Sequence, residues 1–556
     1  MPPLGLITVA ALMPSSTSFK LVDMNIEPLQ DADIVWADAV FISAMTIQQK
    51  SFATIVQRCR THNKLIVAGG PYVTVQHSGI TGVDHFLLGE AENTLDLFLQ
   101  DFAEQKALPL YAATTIHPDI THTVIPRFDL LKLSAYVSMS VQYSRGCPFH
   151  CEFCDVWQIY GRTPRTKSAE NIIAELDALQ HLGWKNEVFV VDDNFIGNRQ
   201  KVKNELLPAL IEWQKKQQHH FRFYTETSVD LASDEALLTT MRDAGFNAVF
   251  LGIETPSADS LQETGKLQNT AINMHDAVRK IQSYGLEVMG GFIIGFDNDA
   301  ANIFERQIDF IQKAAIPKAM VGLLNAVPGT KLYQRLLQES RLLANTISGS
   351  NTHCLTTNFL TKIDPNLLKE GYKKVLDFLY GKRLKNYFTR CSRLFDTLGD
   401  TPFLQPSISL RDIKTLIHSF FSQSFSRYGY QYLKFMLRNF LKHRQHFAAA
   451  VRMSIEGHHF YIITRETLKM DKLAMLLEER YQIMVKKIDE YSAALSTNPA
   501  QKIKKLEQLW HIKKAMFNRL KKKINKTHAD FRADLIKRYA DLDQQLGQLL
   551  QQALRC

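Results

Sequence analysis

Residues 137–154 read VSMSVQYSRGCPFHCEFC. Positions 137–143 form a candidate strand, and the chain then turns into a loop that carries Cys147, Cys151 and Cys154 in a C-x3-C-x2-C arrangement. Three thiolates on one short loop can hold three corners of a 4Fe-4S cube and leave the fourth iron without a protein ligand, open for chemistry. The bland alternative is a structural zinc site completed by His150. His150 and Cys151 are adjacent, however, whereas closed zinc sites draw their ligands from two separated pairs.

Outward from this loop the strand pattern repeats. Candidate strands at 187–192, 220–225, 247–253, 286–294 and 319–324 alternate with helices, one opening at Ser168 and another capped by Ser233. Six such βα units predict a partial, open barrel of the TIM type, in which working residues gather at the C-terminal ends of the strands. Those ends read Cys147, then Asp192-Asp193-Asn194, Thr225-Glu226-Thr227, Glu254-Thr255, Gly295-Phe296-Asp297 and Asn325. Polar loops cap structural barrels too, but six coincident ends around a cysteine loop favour a ligand ring. Its carboxylates can accept hydrogen bonds from a bound ligand.

The chain before the barrel alternates apolar runs at 20–25, 39–45, 64–71 and 84–90 with helical stretches at 48–61 and 91–105. That is the pattern of a small parallel sheet wrapped by helices. The expected division is therefore an α/β unit over 1–112, a linker over 113–134, the barrel over 135–345 and a helical C-terminal domain over 346–556. Strand signals nearly vanish after 365, apart from a candidate pair around 450–464.

Composition agrees with a folded, multidomain chain: of 556 residues, 45% are apolar and 22% charged, which rules out a disordered or low-complexity protein. No run reaches the roughly 18 apolar residues that cross a bilayer, and the N-terminus lacks the basic region of a secretory signal, so a cytoplasmic location is expected. Seven cysteines, thinly spread outside the one cluster, fit a reducing compartment. Cys59, Cys354, Cys391 and Cys556, and the pairs His219-His220 and His458-His459, show no ligand spacing. The net charge of +10 is concentrated in residues 502–538, where 13 Lys/Arg face three acids. There Ile503, Leu506, Leu509, Phe517, Leu520 and Ile524 recur at helical spacing among lysines. Such a helix packs on its own protein or touches an anionic membrane surface or nucleic acid.

With Phe153 before the last cysteine, the loop resembles the C-x3-C-x-aromatic-C signature of the radical S-adenosylmethionine superfamily. The resemblance implies that the unique iron of a 4Fe-4S cluster chelates S-adenosylmethionine, whose reductive cleavage gives a 5'-deoxyadenosyl radical that abstracts hydrogen from the substrate. It also implies an electron donor such as flavodoxin or ferredoxin. By the same resemblance Asp192 and Asp193 stand where the superfamily has its Gly-Gly-Glu contact to the methionine amine, although the usual glycines are absent. Glu226 and Glu254 become candidates for ribose or methionyl contacts, and Gly291 and Gly295 of GGFIIGF for close approach to adenine.

The N-terminal unit resembles, Rossmann-like, the cobalamin-binding domain of one branch of that superfamily. Against the branch pattern D-x-H-x-x-G, S-x-L, G-G, this chain has Asp23-x-Asn25-x-x-Pro28, Ser43-x-Met45 and Gly69-Gly70. Asn25 in place of histidine implies cobalamin held without imidazole on cobalt. The chain starts inside what the branch uses as its first helix, so the opening strand is expected to be missing. The whole resembles the subgroup with an uncharacterised helical C-terminal domain, to which hopanoid methylases are also similar. Implied is a cobalamin-dependent methyl transfer to an unactivated carbon of a small-molecule or lipid substrate, with 502–538 as a candidate peripheral contact with the inner membrane face. A radical oxidoreductase or rearrangement enzyme without functional cobalamin, and a non-enzymatic zinc or nucleic-acid-binding protein, are the alternatives.

Overall fold

The computed structural model describes residues 1–112, 117–217, 220–343, 355–399, 410–494, 499–527 and 529–555. Cys354, Cys556 and His219 lie outside the described residues. The chain packs as two compact units, one of 1–379 with 385–454 and one of 380–384 with 455–556.

The first unit opens with a parallel sheet of β1 (Ala39–Ser43), β2 (Leu65–Gly69), β3 (His85–Leu88) and β4 (Leu110–Ala112), ordered as numbered. Successive residues of β2 point to opposite faces. Ile66 and Ala68 meet Phe52, Val56 and Cys59 of the helix Gln49–Thr61, while Val67 meets Leu95 and Phe98 of the helix Ala91–Ala103. Both faces are covered, as an all-parallel sheet requires. The helix Leu4–Leu12 lies on the second face through Val9 and Leu12. The expected strand at 20–25 does not form: those residues pair with no ladder. Instead Asp23 accepts from both the backbone N–H and the side-chain amide of Asn25, and from the Tyr136 hydroxyl at 2.9 Å. A local Asx turn has won over an extended run that no neighbour offers to pair.

The second sheet contains β5 (Ser138–Val141), β6 (Glu187–Val190), β7 (Arg222–Thr227), β8 (Phe246–Glu254), β9 (Glu287–Ile294) and β10 (Ala319–Leu323). All are parallel, and each pairs with its neighbour in sequence, giving the open six-stranded barrel anticipated from the pattern. The helix Ala169–His181 is capped by Ser168, whose hydroxyl accepts from Asn171 N–H. The helix Glu235–Asp243 is capped by Asp234 and not by Ser233: the Asp234 carboxylate takes the Leu237 N–H, and Ser233 donates back to the Asp230 carbonyl. Two acidic side chains sit at the N-terminal end of the barrel. Glu287, fully buried, is held by Arg452 at 2.7 Å and Lys318 at 3.4 Å, and Glu187 by Arg222 at 3.4 Å. Buried charge is tolerated there because each acid has a cation.

After β10 the described chain is almost wholly helical. The candidate strand pair at 450–464 is part of one helix, Phe447–Ala494. Its buried positions Ala450, Met453, Ser454, Tyr461, Thr464 and Thr467 recur with a period near 3.6, which overrides the β-branched run YIIT. By packing, the described helical residues up to 379 and those of 385–454 group with the barrel's unit, and 380–384 with 455–556 form the second. In that second unit Leu477 and Met484 meet Leu509, Phe517 and Ile524 of the helix Pro499–Ile524, and Leu542 and Leu546 of the helix Ala529–Arg555. Most of the apolar stripe of 502–538 is thus spent on its own protein. Ile503 alone of its expected members is exposed. Cys59 and Cys391 are buried core residues, as expected of cysteines without ligand spacing.

Candidate active site

The three-cysteine loop leaves the C-terminal end of β5 and is fastened along its length. Asp192 accepts from Tyr143 N–H at 2.8 Å, Ser144 N–H at 2.9 Å and Ser144 Oγ at 2.6 Å. It is fully buried, and burial pushes its carboxyl up to about 7 against those three bonds. Both its oxygens are engaged by the backbone that leads into the loop. In this arrangement Asp192 positions the backbone that leads into the cysteine loop. Asp193 next to it accepts from Gly146 N–H at 3.0 Å. Gly146 has φ +97°, and a Cβ there would lie 2.9 Å from the Gly161 carbonyl, so only glycine makes this turn. Further on, Glu152 N–H donates to Thr264 O, Leu332 N–H donates to Glu152 O, and Arg335 grips the Glu152 carboxylate at 2.6 Å.

Cys151 is buried and Cys147 and Cys154 half-buried. Burial raises all three thiols, Cys147 to about 11. Among the described residues no three His, Cys, Asp or Glu are gathered to hold a single metal ion. His150, which a zinc site would need, is exposed. Three soft donors on a pinned, desolvated loop fit the corners of an iron–sulfur cluster, whose iron would favour the thiolate that burial disfavours. Phe153 lies 6.0 Å from Phe296 and beneath Lys266, whose Nζ is 5.8 Å from the ring centroid.

Lys266 is a site residue that the sequence reading missed. Burial opposes its charge, but the Glu254 carboxylate and the neighbouring cysteine sulfurs outweigh burial and raise its pKa. It donates to Glu254 Oε1 in a short ion pair. Glu254 ends β8 after a register shift, at φ +62°, a conformation rare outside glycine, which turns its side chain toward Lys266. Gly252 leaves room for the pair: a Cβ there would be 2.5 Å from Lys266 Nζ. Glu226 at the end of β7 has no hydrogen-bond partner among the described residues. Burial, reinforced by Asp193 and Glu254, pushes it up to about 7. Asp193, also raised by burial, is brought to about 6. Asp193, Glu226 and Glu254 thus share one acidic mouth with one lysine.

Other strand ends are spoken for. Asp297 is bound by Arg335 and Arg341, which outweigh burial and hold it at about 2. Gly291 is accounted for by packing, since a Cβ there would lie 2.9 Å from the Phe250 ring. Gly295, at φ +111°, donates its N–H to Asp299 at 2.8 Å.

The C-terminal edge of the first sheet is floored by glycine. Gly70 has φ +88°, and a Cβ on it would lie 2.4 Å from the Oγ of exposed Ser43. A Cβ on Gly69 would lie 3.0 Å from the Leu87 carbonyl. Just beyond β3, Glu90 is buried and bonded to Arg145 at 2.6 Å, Arg165 at 2.7 Å and His117 at 2.9 Å, and Glu92 takes the other arm of Arg145 at 2.8 Å. Arg145 stands two residues before Cys147, so this hub fastens the edge of the small sheet to the base of the cysteine loop. The acids of GEAEN (89–93), directly after an apolar strand, were the available signal for it. Glu90→Gln should lower stability by about 3 kcal/mol, because it leaves nearly buried guanidinium groups short of a counter-ion. Chemical denaturation measures this, and an unchanged midpoint would remove the hub from the account.

A profile described as the Radical SAM superfamily matches residues 141–311, and one described as a domain of unknown function (DUF4070) matches 330–472. The chain is 43% identical to an uncharacterized methyltransferase of Synechocystis sp. over 75% of its own length and 77% of the relative's. It is 38% identical to the hopanoid C-2 methylase of Rhodopseudomonas palustris over 64% of its own length and 68% of the relative's. Among solved structures, the radical S-adenosylmethionine methyltransferase TsrM from Kitasatospora setae superposes with a TM-score of 0.52 at 14% identity, covering 68% of this chain and 86% of that one. The cobalamin-dependent S-adenosylmethionine radical enzyme OxsB gives 0.51 at 17% identity over 81% and 74%. These two likenesses concern the fold. The relatives, the profile and the cysteine loop together make the chain a member of the radical S-adenosylmethionine superfamily, in the group of methyltransferase relatives that includes the hopanoid C-2 methylase.

Proposed function

We propose that the protein is a radical S-adenosylmethionine methyltransferase acting on an unactivated carbon of a small-molecule or lipid substrate. Cys147, Cys151 and Cys154 would hold a 4Fe-4S cluster, the acidic mouth would take S-adenosylmethionine, and the edge formed by Ser43, Gly69 and Gly70 would take cobalamin. Between them these groups supply, when bound, a one-electron cleavage of the sulfonium, a hydrogen-abstracting radical and a methyl donor. One observation carries the reading: Glu90 and Glu92 tie the glycine-floored edge of the first sheet to Arg145, at the root of the cysteine loop. Two cofactors that must share one substrate carbon need such a fixed relation, and the protein's part is to aim them.

The remaining residues follow from their surroundings. Asp193 and Glu226 offer carboxylate oxygens to an ammonium group, and the Lys266–Glu254 pair offers a cation to a carboxylate. Asn25, locked in its turn with Asp23, offers cobalt no nitrogen, so cobalamin would be bound without it. A one-electron donor of the flavodoxin or ferredoxin type completes the set.

The test is anaerobic reconstitution with iron, sulfide and cobalamin, followed by incubation with a low-potential one-electron reductant such as dithionite, methyl-labelled S-adenosylmethionine and a pool of lipid extract. Labelled methyl in a lipid product, together with 5'-deoxyadenosine, is the expected result. Formation of 5'-deoxyadenosine with no transferred label, and no corrinoid bound in titration, would replace methyl transfer by radical oxidation or rearrangement.

A further inference from the structure

The helices Leu410–Ser424 and Gly429–Lys442 pack against each other as a hairpin in the first compact unit, and the first of them, over its described side chains from 414 on, buries polar groups and exposes large apolar ones. Its buried positions are polar: Ser419 and Gln423 are inside, with Gln423 Nε2 donating to Ser419 Oγ at 2.7 Å and the Tyr428 hydroxyl donating to Gln423 Oε1 at 3.3 Å. Its outward positions mix the apolar Ile417, Phe420 and Phe421 with Lys414, His418 and Ser422, and at the tip of the hairpin Phe425 is 86% exposed. The second helix buries Tyr432, Phe435 and Met436, yet also turns Leu433, Leu437 and Leu441 outward at i, i+4 and i+8. Single exposed apolar side chains are ordinary; two facing stripes on one hairpin are not.

Charge is arranged to match. From Ile413 to Ile455 the sequence has seven Lys or Arg and no Asp or Glu. Three of the cations are answered from elsewhere in the unit, Arg438 and Lys442 by Asp396 and Arg452 by Glu287. Arg444 lies over the Phe440 ring at 5.8 Å. Lys414, Arg427 and Lys434 are exposed and have no carboxylate partner among the described residues.

We propose that this hairpin is the surface by which the protein docks on an anionic lipid bilayer, with Phe425 and Tyr430 at its tip in the headgroup region. A bilayer surface offers what both halves of the patch lack: hydrocarbon for the apolar stripes, and negative headgroups for cations that no acid among the described residues neutralises. Aromatic side chains beside Arg427 suit the interface between the two. A second copy of the chain is the other candidate occupant. In a twofold contact, however, the patch meets itself, which sets Lys414 and Lys434 against their own images with no acid between them. The proposal stands on the hairpin alone and does not depend on the reaction the barrel performs.

Co-sedimentation of the full chain with lipid vesicles tests it. The protein should bind vesicles of equimolar phosphatidylcholine and phosphatidylglycerol about tenfold or more tightly than vesicles of phosphatidylcholine alone, and the difference should shrink as salt is raised. The Phe421→Glu/Leu437→Glu double variant should lose binding to both, and Lys414→Glu/Lys434→Glu should lose the preference for phosphatidylglycerol. All four side chains are exposed, so the far-ultraviolet circular dichroism spectrum should not change. Failure of the unaltered protein to bind the anionic vesicles, or undiminished binding by the apolar double variant, overturns the proposal. So does a dimer in sedimentation velocity that Phe421→Glu/Leu437→Glu dissociates while no vesicle binding is found, which would give the face to a second copy.

Discussion

Cys151→Ala should take the iron of anaerobically purified protein from about four atoms per chain to near zero, with loss of all S-adenosylmethionine cleavage. The effect is all-or-none because a cube held at three corners on one loop has no spare ligand, and Cys151 is the one of the three residues that is buried as a whole. The scaffold should survive. The loop is fastened by Asp192 and Asp193 at its start and by Thr264, Leu332 and Arg335 further on, and none of these bonds involves a cysteine side chain. The variant's circular dichroism spectrum and unfolding midpoint should therefore match those of the unaltered protein stripped of its cluster, since no bond that fastens the loop is lost. His150→Ala supplies the contrast. His150 is exposed and would matter only to a zinc site, so that variant should keep its iron. Iron retained in Cys151→Ala, or zinc found in place of iron and lost in His150→Ala, would overturn the assignment.

All strands of the two sheets except β4 (Leu110–Ala112), too short to stand out as an apolar run, were legible because their apolar runs are long enough and are bounded by polar or glycine residues. The loop was legible because three cysteines at one spacing admit few chemistries. What escaped was set by partners distant in sequence. The run at 20–25 has strand composition, but strands are pairs, and no neighbour pairs with it. YIIT near 461 has strand composition too, yet the burial of Ala450, Met453 and Thr464 on one helical face decides otherwise. Asp192 and Asp193 are adjacent in sequence and chemically alike. Only their partners show that the first is spent on Tyr143 and Ser144 while the second borders the acidic mouth. Lys266 follows a strand end by twelve residues, in a loop with no motif to mark it, and its role rests on the backbone of Glu254 at positive φ. Glu90 was readable only as one acid in GEAEN; its function as an anchor for two arginines needed the fold.

S-adenosylmethionine should bind to the iron–sulfur-reconstituted protein with an affinity that climbs steeply between pH 6 and pH 7.5 and levels off above it. The group responsible is Glu226, which burial, Asp193 and Glu254 together push up to about 7 from the ordinary value of 4.5, against a smaller opposing pull from Lys266. Below that pH the free protein holds Glu226 mostly neutral, and an ammonium-bearing ligand must expel its proton before a charge-assisted bond can form. Affinity should therefore rise about tenfold per pH unit per proton released until the carboxylate is already ionised. The folding linkage has the opposite sign. Because the folded value lies above the unfolded one, the stability that neutral Glu226 contributes is complete below about pH 4.5 and is lost as the pH rises through about 7. The ligand-free protein is thus least favoured by this group where it binds best, which is the mark of a charge kept ready for a cationic partner and not of a solvated cap. Titration calorimetry at pH 6.5 in two buffers of different ionisation enthalpy should register proton release. Glu226→Gln should flatten the pH dependence and weaken binding at pH 8 by roughly 1 to 3 kcal/mol. Equal affinity at pH 6 and pH 8, or an unaltered slope in Glu226→Gln, would show that Glu226 faces no ligand and that the mouth is drawn around the wrong acid.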